Sequence, residues 1–107
     1  MLKRNVRLPR KEFSFRGGTA ARTPYFSLRA RTTAAGPPRI GVVVGKVVAK
    51  SAAKRNFLKR QIKSALAALA KPGMDYLIIA NRAIEAATRR EIRSEIAKAV
   101  SKIGPRI

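Results

Sequence analysis

At 107 residues the chain is long enough for one domain with a modest core, and its 46% hydrophobic content sets it among folded proteins rather than disordered basic tails. Its 25 basic and 5 acidic side chains leave a net charge of +20, a density whose self-repulsion opposes compaction and is relieved by a polyanionic partner. Cysteine and histidine are both missing, which excludes disulfide staples, Cys/His zinc sites and any histidine-dependent triad or general base.

The five acids are Glu12, Asp75, Glu85, Glu91 and Glu95, so no carboxylate lies between Phe13 and Met74. A span of that length cannot neutralise its own cations by ion pairs. Nucleic acid is the economical partner, and an anionic membrane surface comes second. No apolar run approaches the roughly 20 residues of a membrane span. The basic opening lacks the apolar core of a signal peptide, and the absence of cysteine fits a reducing cytoplasm.

Taken in order, residues 10–16 are expected to form a short helix after Leu8-Pro9, ended by Gly17-Gly18. Residues 25–31 alternate, with Phe26 and Leu28 on one side and Ser27 and Arg29 on the other, as in a half-buried strand. Gly36-Pro37-Pro38 breaks the chain before a second strand over 39–48, rich in Val and Ile. There Gly41 and Gly45 would allow another backbone to approach. The short link suggests that these two strands pair antiparallel.

Residues 51–70 should be a helix capped by Ser51 and stopped by Lys71-Pro72-Gly73. At about 100° per residue, Leu58, Ile62, Ala65, Leu66 and Leu69 share one face, and Asn56, Lys59, Arg60 and Lys63 the opposite one. Such a helix has one face for a core and one for something negative. Residues 75–80, DYLIIA, form a nearly continuous apolar run and so an interior strand. A second long helix is expected over 85–103, with Ile92, Ile96, Ala99, Val100 and Ile103 as its stripe. The sum is an α+β domain, an α/β sandwich spanning residues 1–107, with about four strands in a mixed sheet.

Three stretches in this order resemble the protein subunit of bacterial ribonuclease P: LPRKEF with the downstream PYFSL, then RIGVVVGKVVAKSAAKRNFLKRQI, then DYLIIANR. The resemblance implies a left-handed β-α-β crossover through residues 39–80, although crossovers of this type are right-handed in about 98% of cases. On it, Arg55 and Asn56 match the first two positions of the family's Arg-Asn-Arg signature, and Lys59-Arg60 match its trailing basic pair. Lys46, Lys50 and Lys54 match basic positions leading in, and Lys63 continues the basic face. Phe13, Phe26 and Leu28 match the cleft that holds the 5′ leader of the precursor. Phe57 stands where the signature has its second arginine; its ring either packs on apolar surface or stacks on a base.

The function so implied is that of an accessory subunit. The family's catalytic RNA and its magnesium ions hydrolyse precursor tRNA, while the protein binds that RNA and the leader. No catalytic residue and no protein metal site is expected here, and neither a protein partner nor a membrane is required. The physical reading agrees: arginine offers a planar fork of donors and lysine a mobile point charge, both suited to phosphate. Two other readings are a general RNA-binding or ribosomal protein without catalytic association, and a stand-alone nuclease.

Overall fold

The computed structural model describes residues 19–32 and 36–103. The expected helix over 10–16 lies outside the described residues. The elements are β1 (Thr19–Arg22), β2 (Phe26–Thr32), β3 (Arg39–Val43), α1 (Ala52–Ala67), β4 (Met74–Ala80), a 3₁₀ turn (Arg82–Ala86) and α2 (Arg89–Ile103). They form one four-stranded mixed sheet in the order β1-β2-β4-β3. β4 pairs antiparallel with β2 and parallel with β3, and α1 bridges the parallel pair.

This order corrects the expected antiparallel pairing of β2 with β3. β4 inserts between them, and its apolar run is buried almost throughout, as is usual for a strand interior to a sheet. Asp75 fixes the arrangement. The register places it directly opposite Arg31 of β2 and Arg39 of β3. Arg31 Nε donates to its Oδ2 at 2.9 Å, and Arg39 donates from Nε to Oδ1 and from Nη2 to Oδ2, both at 2.8 Å. A slip of one residue would turn the carboxylate to the other face and away from both arginines.

One face of the sheet is dry. Phe26, Leu28, Ala30, Ile40, Val42, Tyr76 and Ile78 meet Leu58, Ile62 and Leu66 of α1 and Ile92, Ile96 and Ala99 of α2 in a single core. α1 packs over β3, α2 over β1 and β2, and the helices touch each other. The buried Tyr76 hydroxyl accepts from the Lys71 backbone N–H at 3.0 Å. Gly73, at φ 75°, takes the left-handed conformation that turns the chain from α1 into β4, and its N–H donates to the Gly36 carbonyl at 2.8 Å. Because Ile62 is wholly buried, Ile62→Ala should cost about 2–5 kcal/mol in urea unfolding. A loss below 1 kcal/mol would contradict its place in the core.

Boundaries move, with α1 ending at Ala67 instead of residue 70, and one strand is new. β3 ends at Val43, since the Gly45 carbonyl accepts from the N–H groups of Val48 and Ala49 and closes a turn there. That turn buries Val48 and Ala49 and leaves Val47 79% exposed. A Cβ on Gly45 would meet nothing within 4 Å, so no backbone approaches it closely. The second helix begins at Arg89, not at residue 85, because Thr88 and Glu91 form a reciprocal cap: Thr88 N–H donates to Glu91 Oε1 at 2.8 Å, and Glu91 N–H to Thr88 Oγ1 at 3.1 Å. β1 has no counterpart among the expected strands. The Thr23 hydroxyl, accepting from the N–H groups of Tyr25 and Phe26, forms its turn into β2.

Candidate nucleic-acid interface

The interface is built on α1. Ser51 caps the helix, accepting from the Lys54 N–H at 3.2 Å. Leu58, Ile62 and Leu66 bury its inner stripe and so fix which side chains look out. No acidic residue occupies the first turn, where a carboxylate would stabilise the positive end of the helix dipole. Lys54 and Arg55 stand there instead. The sequence thus gives up a local stabilisation and concentrates positive potential at the point where an external phosphate is best received.

Lys46 lies exposed on the turn after β3, and Lys50 is exposed just before the cap. Asn56 and Arg60 are exposed, and Lys59 and Lys63 half-buried, along one outer flank of α1. Lys54 lies on the other flank, its Nζ 5.5 Å from the centroid of the Phe57 ring. The structure therefore brings together all the expected cations on one helix and its entry loop.

Arg55 has a structural part as well. Its Nη1 donates to the carbonyls of Ala49 at 2.9 Å and Lys50 at 2.8 Å. It clamps the entry loop to the helix and holds Lys46 and Lys50 near the helix start. Arg55→Met, which keeps the stem and removes the donors, should lower stability by about 1–3 kcal/mol. The same change should reduce protection of the 45–50 amides from hydrogen exchange. Unaltered exchange there would mean that the clamp does not form in solution.

The leader-cleft expectation is corrected for two of its three residues. Phe26 and Leu28 are both 0% exposed, because their side chains point to the helix-covered face of the sheet, so neither presents a surface to a strand of RNA. Their neighbours Ser27, Arg29 and Arg31 turn to the opposite face, beside Ile79, which is 41% exposed. Phe13 lies outside the described residues.

Sequence reasoning missed a second group of cations. Arg89 and Arg93 of α2 face α1 across a groove whose other wall is Phe57, Arg60, Gln61 and Ser64. The Arg89-Arg90 pair stood open in the sequence, but only the packing of α2 on α1 shows what it faces. Among the described residues no three carboxylates, histidines or cysteines gather as a metal-binding group. Among the described residues no helix is long and apolar enough to cross a membrane.

A mixed sheet backed by two helices, with a carboxylate-free cationic helix turned outward, defines a small basic α+β protein with a surface suited to a polyanion. The family model described as Ribonuclease P matches residues 2–104. The ribonuclease P protein component of Cronobacter sakazakii is 33% identical over 88 residues, covering 80% of this chain and 74% of that protein. That of Xanthomonas euvesicatoria is 34% identical over 99 residues, covering 89% and 68%. A solved RNase P protein mutant of Staphylococcus aureus superposes with a TM-score of 0.70 at 20% identity, over 79% of this chain and 74% of that one, and shares the fold. The chain belongs to the ribonuclease P protein family.

Proposed function

We propose that the chain, as the protein subunit of a ribonuclease P holoenzyme, binds the catalytic RNA through α1 and its entry loop and helps that RNA take hold of precursor tRNA. The observation that carries this is the arrangement of Lys46, Lys50, Lys54, Lys59, Arg60 and Lys63 around one helix with no acid among them. Lysine and arginine there neutralise phosphates that would otherwise repel one another as the RNA and its substrate come together. The 5′ leader is assigned to the sheet face opposite the helices, where Ser27, Arg29 and Ile79 offer hydrogen bonding, charge and apolar surface.

Magnesium belongs to the RNA in this reading. The described carboxylates do not gather around an ion of their own: Asp75 is committed to two arginines, Glu91 to Thr88 and Tyr25, Glu95 to Lys98, and Glu85 stands exposed on the 3₁₀ turn with no three such groups together. Phosphodiester hydrolysis is therefore assigned to the RNA, and the chain's contribution is binding and charge. The place of action is the cytoplasm.

Precursor tRNA incubated with magnesium, with and without the cognate catalytic RNA, tests this directly. Cleavage at the 5′ end of the mature sequence is expected only when the RNA is present, and the protein should lower the magnesium concentration needed. Cleavage by the protein without RNA would overturn the assignment. Binding to that RNA with no effect on its cleavage would favour a general RNA-binding protein instead.

A further inference from the structure

We propose that the groove between α1 and α2 binds an unpaired stretch of RNA, with a base on the Phe57 ring and phosphates on Arg60, Arg89 and Arg93. This rests on the RNA-binding reading above and adds a second surface to it, one that the basic signature of α1 does not define. Phe57 is 42% exposed, although a phenyl ring gains by burial and this helix has a core stripe to join. It stands at the lip of the groove, with Arg60, Gln61 and Ser64 along the α1 wall and Arg89 and Arg93 along the other.

The charges of α2 are sorted about its axis. Glu91 is bound to Thr88 and Tyr25, and Glu95 pairs with Lys98, on the flank turned from α1. No carboxylate lines the groove, so three guanidinium groups converge with no partner of opposite sign along its walls. Such an array raises the local positive potential and so attracts an anion to the groove.

The neighbouring side chains narrow the choice of anion. A ring at the lip of a cationic channel matches the platform-and-groove arrangement that binds single strands, in which bases stack and the backbone follows the charge. A duplex offers no free base face to Phe57. Lys54, now over the ring at 5.5 Å, can transfer its ammonium to the phosphate next to the incoming base. Gln61 and Ser64 supply neutral donors and acceptors for base edges or the 2′-hydroxyl.

The chain has no tryptophan, so Phe57→Trp puts a single indole at the lip. Its emission should be quenched by a ten-nucleotide single-stranded RNA. The quenching should be much weaker with a duplex of the same length or an abasic strand of equal charge. Phe57→Ala should weaken single-strand binding about 5- to 150-fold. Arg89→Gln with Arg93→Gln should reduce the salt dependence by about 0.7 per arginine removed. Equal quenching by the abasic strand would overturn the stacking, and tighter binding of polyglutamate or anionic vesicles than of RNA would overturn the choice of partner. Silent emission in a Phe57→Trp protein that still stimulates the catalytic RNA overturns the groove and leaves the ribonuclease P reading intact. Quenching in a protein that gives no stimulation supports the groove and counts against that reading.

Discussion

Replacing Asp75 with alanine should destabilise the fold by about 3 kcal/mol, the lower end of the range for removing one partner of a buried ion pair. The lower end applies because Arg31 and Arg39 each keep 27% side-chain exposure and so retain some water, whereas Asp75 has none. The loss has two parts: hydrogen bonds disappear, and two guanidinium groups are left converging on an empty site between strands. Burial alone would raise the Asp75 pKa, but hydrogen bonds from Arg39 and Arg31, reinforced by their charges, outweigh it and hold the value below the ordinary 3.8. The sign of the pH dependence follows. The folded state binds the proton less readily than the unfolded chain, so the stabilisation is complete above the unfolded aspartate value and is lost as pH falls through the folded one. Wild type should lose stability below about pH 4, and Asp75→Asn should flatten that part of the profile. Chemical unfolding at pH 3 and pH 6 checks both statements. An Asp75→Ala protein as stable as wild type would show that β2, β4 and β3 are held in order by packing alone.

The affinity for the catalytic RNA should fall roughly a thousandfold between 50 and 200 mM salt. That figure follows from neutralising about six phosphates, one for each α1 and entry-loop cation other than the clamp Arg55. Lys59→Ala and Arg60→Ala should each flatten the logarithmic slope by about one ion, with little effect on folding, since neither takes part in the core. Filter binding across a salt series measures this. A slope that neither substitution alters would mean that this face of α1 looks at solvent.

How far these features were legible depends on whether their cause is local. α1 was, because Leu58, Ile62 and Leu66 repeat at helical spacing and Ser51 is a strong cap. The existence of β4 was equally plain. Its position was not, because strand order is decided by which partners satisfy a run buried on both faces. Asp75 carried a clue: a carboxylate opening an apolar strand must find cations, and Arg31 and Arg39 lie in the two flanking strands. β1, reading Thr-Ala-Ala-Arg, has no large apolar residue to announce it and exists through its pairing with β2. The start of α2 was written locally in Thr88 and Glu91, whose spacing is that of a reciprocal cap. Phe26 and Leu28 were correctly placed on one face of a strand, but only the helices packed on the sheet tell which face is dry. The partnership of Arg89 and Arg93 with Phe57 spans two helices, and no local spacing encodes it.

The central position of β4 also governs how the chain folds as it is made. β2 and β3 both precede β4, yet they share no edge with each other. Until residues 74–80 have left the ribosome, β3 has no strand to join and the core face of the sheet cannot close. Of the five acids, only Glu12 is synthesised before Met74, so the emerging chain is also a nearly uncompensated polycation. Residues 74–95 therefore deliver the missing strand and four of the five acids together. Collapse is deferred to that moment, and the nascent segment ahead of it is exposed to any polyanion within reach, with ribosomal RNA the nearest.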